Sequence, residues 1–387
     1  MVLGNPENRR GHFFAEAAAK AGWNRIIPVS WGSFLRSEEV LEDALCADSV
    51  LRIESPGEDF EVERQLMQLG YEAILSEPGF ASIPPEKIRV LIPDNGQILP
   101  SRQWFHGWSK TLRQLEKIIH RRSCVPMTSP CEIARMFDKA ACHHLFQKQG
   151  VSTPRLICEP EGFDSLMESM RNSGVRRVFL KPCHASSASG VMAFEIRQAG
   201  MQAFTTVERE GDRLYNSLRI RRHQHIQEIR TIVDAICRHR AIAESWLPKA
   251  GFQKGRIDLR MLVVAGESGQ AVLRQSSGPM TNLHLGNRRG DLVAFRERLG
   301  EPQWQAACAI CRSAAATFPK ALHAGVDLLI SPNLRSFAVA EINAFGDLLP
   351  GIEYEGMSTY ELELHRFDGW LTANSNPPLS HVSTNGR

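Results

Sequence analysis

Two apolar runs near the end of the chain constrain its fold most. V-D-L-L-I (326–330) is followed by a turn at Ser331-Pro332-Asn333 and then by F-A-V-A-E-I-N (337–343). Runs rich in β-branched residues and split by a turn read as a hairpin. Residues i and i+2 of a strand share a face, so Glu341 and Asn343 project together, and a paired strand brings Asp327 beside them. Two carboxylates and an amide oxygen on one face suit a hard cation such as Mg²⁺, which keeps several waters and takes further oxygens from substrate phosphates. The same three residues read equally well as the polar edge of a half-exposed hairpin.

The chain has 387 residues, enough for two or three domains. Hydrophobic content is 43%, charged content 23% and formal net charge +3. Those values fit a globular protein handling anionic nucleotides and argue against nucleic acid as a partner. No apolar run is long enough to span a bilayer, and the N-terminus shows no signal-peptide pattern. Nine scattered cysteines lack framework spacing, so reduced thiols and a cytoplasmic location are expected. Cys308 and Cys311 form C-x-x-C inside an Ala-rich run, where helix packing explains them better than zinc or redox chemistry.

The first 127 residues alternate strand and helix patterns. Strands are expected at 1–4, 26–30 and 49–53, helices at 12–21 and 60–69, with further apolar runs at E-A-I-L and R-V-L-I-P. Such alternation implies βαβ units and a parallel sheet. The first strand is short, so the natural chain is expected to begin a few residues earlier. Residues 101–122 form a connection carrying Trp104, Phe105 and Trp108, which either pack it or line a pocket. Thr128-Ser129-Pro130, with Glu132 three residues after Ser129, opens a helix with a capping box and runs to Gly150. Residues 373–387 are polar, with a Pro pair, and read as a disordered tail.

R-R-V-F-L-K-P runs into C-H-A-S-S-A-S-G-V and then M-A-F-E-I. A strand, a loop of small residues and a strand can fold backbone N–H groups over phosphate oxygens, with Lys181 beside them. An ordinary hairpin with a Ser-rich turn would look similar, and this is not a Walker A loop. Further on, A-I-A-E-S-W-L-P is a strand leaving for a connector. R-I-D-L-R-M-L-V-V places Asp258 and Arg260 on one face. A-V-L-R-Q-S-S-G-P-M-T-N adds Arg274 and Asn282. Between the small-residue loop and the connector, a hairpin at E-R-E-G-D-R is followed by R-I-R-R-H-Q-H, read as a solvated helix entry.

Taken in order, S-P-x-E-I-A-R-M-F-D-K, F-L-K-P, A-E-S-W-L, D-L-R-M-L-V-V-A-G, T-N-L-H-L-G, G-V-D-L-L and A-E-I-N-A-F-G-D-L-L-P-G resemble the ATP-grasp superfamily. Within it they are most similar to the branch of the ribosomal-protein glutamate ligase and related carboxylate–amine ligases. The match covers roughly residues 128–352. It implies an α/β fold in which two α+β lobes sandwich ATP after a Rossmann-like pre-ATP-grasp domain. The corresponding boundaries are 1–127 for that domain, 128–243 for the small lobe, 244–372 for the large lobe with its Mg²⁺ site, and 373–387 for the tail.

The resemblance also implies roles. Lys139 and Lys181 would contact ATP phosphates, and Ser186, Ser187, Ser189 and Gly190 would belong to the cover loop. Glu244, Ser245, Trp246 and Leu247 would form the adenine hinge, with the Leu247 N–H facing the ring. Asp327, Glu341 and Asn343 would hold Mg²⁺ or Mn²⁺. Arg260 and Arg274 would stabilise an acyl phosphate, with Asn282 near the phosphates. The implied activity is ADP-forming ligation of a small-molecule or peptide carboxylate to an amine or thiol, by a chain that could pair as a homodimer. The alternatives are a kinase acting on a small-molecule hydroxyl and a nucleotide-binding regulatory protein. One departure stands out: P-K-A-G-F-Q-K-G after the hinge lacks the acid that usually binds ribose.

Overall fold

The computed structural model describes the chain except for residues 24, 187, 212, 346–348 and 376–387 and the side chains of 284 and 375. The N-terminal alternation builds a four-stranded parallel sheet in the order Pro28–Ser30, Val2–Gly4, Val50–Ile53, Val125–Pro126. Two apolar runs did not become strands. E-A-I-L closes the helix Phe60–Leu75, because Val62, Leu66, Met67, Gly70 and Ile74 recur at helical spacing and are buried. R-V-L-I-P follows the short helix Pro85–Arg89 and leaves Val90 and Ile92 76% and 75% exposed.

The connection 101–122 is one helix, Ser101–Arg122, of 22 residues. It crosses Phe60–Leu75 where Gly70 and Gly107 meet. A Cβ at Gly70 would lie 1.9 Å from the Gln103 carbonyl oxygen, and one at Gly107 1.8 Å from that of Leu66. Backbone touches backbone, so neither position tolerates a side chain unless the helices move apart.

The next sheet is antiparallel, with six strands ordered Leu156–Cys158, Ala241–Ser245, Arg177–Pro182, Met192–Arg197, Gly200–Glu210, Arg213–His223. The helices Phe163–Ser173 and Ile226–Cys237 cover it through Phe163, Leu166, Met170, Ile229 and Val233 against Val178, Leu180 and Phe194. The basic stretch read as a helix entry is mostly strand: Arg219 to His223 complete the edge strand, and Arg221 pairs with Glu208 at 2.9 Å. The third sheet runs Arg288–Arg289, Glu267–Ser276, Gly255–Val264, His323–Ile330, Phe337–Asn343, with Gly251–Phe252 paired alongside. The last two strands are the hairpin expected from the sequence. Helix Glu301–Ala316 packs on this sheet and buries Cys308 and Cys311.

One continuous core joins the N-terminal sheet to the third sheet, from Leu3 and Trp108 through Ile133 to Val326 and Val339, while the middle sheet keeps its own. The single helix expected from Glu132 to Gln149 is two, Pro130–Met136 and Lys139–Lys148. The break falls where Asp138 caps the second helix through the Ala141 amide at 3.1 Å. Ile133, Met136, Cys142 and Phe146 pack in the larger core, although 128–243 was expected to form one lobe. Strand Ala241–Ser245 lies whole in the middle sheet, across the boundary expected at 243/244. Helix Thr359–Ser375 extends into the stretch expected to be tail. Among the described residues, no helix is long and apolar enough to cross a membrane.

Candidate functional site

Strand register builds the first wall of the site. Arg260 pairs with Asp327, and Asp327 with Glu341, so three charged residues stand abreast across three strands. Asp258 pairs with Arg274 on the same face. The side chains then interlock. Arg260 Nε lies 2.8 Å from Asp327 Oδ1, Arg274 Nη1 donates to Asp327 Oδ2 at 3.2 Å, and Arg274 Nε donates to Asp258 Oδ1 at 2.7 Å. Asn343 donates through Nδ2 to the Gly325 carbonyl at 3.3 Å.

The opposite wall comes from the middle sheet. Glu244 is cross-strand to Phe179, which makes Lys181 its diagonal same-face neighbour. Lys181 Nζ contacts Glu244 Oε1, and His143 Nε2 meets Glu244 Oε2 at 3.0 Å. Lys139 Nζ reaches across to Glu341 Oε1 at 3.0 Å and donates to the Ala185 carbonyl at 2.5 Å. Between Pro182 and Val191 the loop of small residues turns through Ala188 and Gly190, at φ 59° and 72°. Gly190 is required there twice over, since a Cβ would sit 2.7 Å from Pro182 Cγ.

The cleft between the walls encloses about 110 Å³ and is lined by Lys139, Lys181, Ser189, Glu244, Ser245, Leu247, Lys249, Asn282 and Asp327 among others. The Ser245 and Trp246 amides bond to the Arg155 and Arg177 carbonyls at 2.8 and 3.0 Å. The Leu247 amide has no partner among the described residues.

Burial would raise Glu341, but Lys139 and Lys181 outweigh it and hold the carboxylate below its usual range. Asp327 shifts the other way: burial, with Glu341 adding to it, pushes it up against the pull of Arg260 and Arg274. Asp258 is also buried, yet Arg274 and Lys249 keep it well below the ordinary carboxylate range. Burial lowers the Lys249 ammonium even with Asp258 at 3.0 Å. Lys181 is raised because Glu244 and Glu341 overcome its burial. Five cations thus face four carboxylates in a largely buried cleft.

Most of the residues singled out from the sequence therefore meet. Lys139, Lys181, Ser189, Glu244, Ser245, Leu247, Arg274, Asn282, Asp327 and Glu341 line one cleft, with Arg260 joined through Asp327 and Asn343 at the hairpin's end. Ser186 and Gly190 sit at the turns of the loop, and Ser187 lies outside the described residues. Trp246 turns its ring onto Phe179 and Phe204, with centroids 5.4 and 6.4 Å away. Glu244 ends on strand Ala241–Ser245 beside Ser245, and its buried carboxylate is taken up by Lys181 and His143. The sequence reading missed His143 and Lys249. His143 lies four residues after Lys139 on the same helix face, a spacing that could have exposed it. Lys249 sits in the very stretch noted for lacking an acid. Its Nζ donates to Thr281 Oγ1 at 2.7 Å, a long-range contact with no local signal.

The donor set of the hairpin fits a hard divalent cation. Asp327 Oδ1 is buried with only the Arg260 guanidinium against it, Glu341 stands directly opposite, and Asn343 spends its amide nitrogen on Gly325, leaving its oxygen as the donor.

No family model and no curated protein matches the chain. Solved structures do. An ADP complex of purK, N5-carboxyaminoimidazole ribonucleotide synthetase, aligns at TM-score 0.52 and 12% identity over 94% of this chain and 75% of that one. The ATP-grasp ligase PsnB, complexed with a phosphomimetic variant of a minimal precursor, Mg and ADP, aligns at TM-score 0.51 and 11% identity over 96% and 97%. D-cycloserine synthetase DcsG aligns at TM-score 0.50 and 12% identity over 97% and 99%. The likeness is one of overall fold, shared along nearly the whole chain with structures that include one described as an ATP-grasp ligase.

Proposed function

We propose that this protein is an ATP-dependent, ADP-forming carboxylate–amine (or thiol) ligase that works through an acyl phosphate. The observation that carries this reading is the convergence of Lys139, Lys181, Lys249, Arg260 and Arg274 on one cleft. Phosphoryl transfer to a carboxylate needs positioning and fixed positive charge more than a residue nucleophile. The ADP-bound and Mg-bound relatives support nucleotide and metal use.

Lys139 and Lys181 would exchange their carboxylate partners for phosphate oxygens, while Ser189 and neighbouring loop amides cover them. The Leu247 N–H would bond the adenine edge. The Asp327, Glu341 and Asn343 oxygens would hold Mg²⁺, which would supply positive charge against the phosphates. A carboxylate oxygen of the substrate attacks the γ-phosphorus, and the bond to the β-bridging oxygen breaks to release ADP. Arg260 and Arg274 stabilise the acyl phosphate. The acceptor's lone pair then attacks the acyl carbon, its proton is lost, and phosphate departs with one former carboxylate oxygen. The unbridged thiols fit a reducing compartment, so we place this reaction in the cytoplasm.

The test is a screen for substrate-dependent ADP release with pairs of carboxylates and amines, followed by ¹⁸O labelling of the carboxylate. One label is expected in the released phosphate. A label retained wholly in a phosphorylated organic product would replace ligation with kinase chemistry.

A further inference from the structure

We propose that Arg102 and His184 are positioning residues that fasten the base of the phosphate loop to the long helix of the N-terminal domain, and so set nucleotide affinity. This rests on the reading of residues 182–190 and Lys139 as the nucleotide's phosphate site.

The loop base is sewn to the turn that precedes Lys139. The Lys139 amide donates to the Cys183 carbonyl at 3.2 Å, and Lys139 Nζ donates to the Ala185 carbonyl at 2.5 Å. Between those two contacts stands His184, 5% exposed. Its Nδ1 lies 3.1 Å from the Phe137 carbonyl oxygen, and its Nε2 3.1 Å from Arg102 Nη1. A carbonyl can only accept and a guanidinium can only donate. The ring must therefore be neutral, with its proton on Nδ1 and a lone pair on Nε2. Burial favours the same form and pushes the imidazole down to about 3.

The helix Ser101–Arg122 supplies the outer half of the fastening. Arg102 is held by both oxygens of Glu77, at 2.7 and 2.6 Å, and His106 Nε2 lies 3.3 Å from the same carboxylate. Phe105 stacks flat on His184, with centroids 3.8 Å apart and planes 8° apart. Trp104 stacks on Phe137 at 5.8 Å. Two consecutive aromatics of one helix thus grip the two backbone turns that carry Lys139 and the loop. A loop held in place before binding loses less conformational entropy when phosphate arrives.

The test is calorimetry with Mg·AMPPNP on the full chain, alongside hydrogen exchange. Arg102→Met and His184→Leu should each weaken binding by at least about tenfold, the scale of one hydrogen bond to a charged group. The double variant should be no weaker than the poorer single variant, because both break one connection. His184→Gln, which keeps an acceptor for Arg102, should recover most of the loss. Arg102→Lys, on a partly exposed site, keeps the charge but not the planar fork and should still bind weakly. Amides 183–190 should exchange faster while those of strand Gly255–Val264 do not change, a local effect that general destabilisation would not produce. Affinities of Arg102→Met and Arg102→Lys close to that of the parent, with Lys181→Met binding poorly, would overturn the proposal alone. Normal affinity in Lys181→Met would overturn the phosphate site and this proposal together.

Discussion

Arg274 shows how residue-level charge decides what a variant can report. It bridges Asp258 and Asp327, and all three side chains are buried. Removing it takes from Asp258 its main partner and from Asp327 one of its two arginines, so Arg274→Met is expected to lose about 3–5 kcal/mol of stability in denaturant titration. Loss of turnover in that variant would reflect folding as well as chemistry. The hairpin pair Glu341 and Asn343 is a cleaner target. Glu341→Gln with Asn343→Ala should abolish the Mg²⁺ dependence of AMPPNP binding, measured by calorimetry with and without the metal, while the circular dichroism spectrum stays that of the parent. Metal-dependent binding that survives in the double variant would remove the hairpin as the cation site. At this scale the i, i+2 spacing is enough to expose Glu341 and Asn343 from the sequence. The partners of Glu244 and Asp258 stay hidden there, because His143 and Lys249 reach them only through folding.

Helix crossings decide more than helix limits at the scale of elements. The Gly70–Gly107 contact lets Ser101–Arg122 lie directly on Phe60–Leu75. Gly107→Ala must push these backbones apart, an overpacking cost of roughly 1–3 kcal/mol or more. A melting temperature several degrees lower is expected, together with weaker AMPPNP binding, since the same helix carries Arg102 and Phe105. An unshifted melt would mean that the helices separate without cost. The sequence pattern located three of the four parallel strands and the final hairpin because their apolar periods are clean. It left E-A-I-L unassigned, where four residues could be helix or strand, and misread R-I-R-R-H, where basic residues on an edge strand resemble a helix face.

Acid sensitivity belongs to the whole molecule. His239 joins the end of helix Ile226–Cys237 to helix Ser101–Arg122, with Ser101 N donating to its Nδ1 at 3.4 Å. Burial, and then Arg238, lower it from 6.5 to about 4. Between those values the unfolded chain binds a proton that the folded chain refuses, so stability present above pH 6.5 falls as pH drops toward 4. His184 and His323, also lowered by burial, add in the same direction. Stability should fall measurably from about pH 7 to about pH 5, a range in which ordinary carboxylates stay charged in both states. His239→Gln should flatten that slope by up to ~3 kcal/mol over the full window. An unchanged slope would show that His239 titrates normally. Mg·ATP at roughly a hundredfold excess over its dissociation constant should add about 2.7 kcal/mol to stability, visible as a raised melting temperature.

The sequence by itself determined the order of the elements, the face shared by Glu341 and Asn343, the lysine that ends a strand at a loop of small residues, and the superfamily's fold. Those features are local, set by strand and helix periods and by turn residues that act over a few positions. Tertiary structure alone decided that Arg260, Asp327 and Glu341 stand abreast, that Glu244 anchors Lys181, that Asp138 breaks a helix read as continuous, and that Arg102 of helix Ser101–Arg122 meets His184. Each of these depends on strand register or on contacts between residues far apart in the chain. Long-range charge pairing in a largely buried cleft is fixed by packing, and no local spacing encodes it.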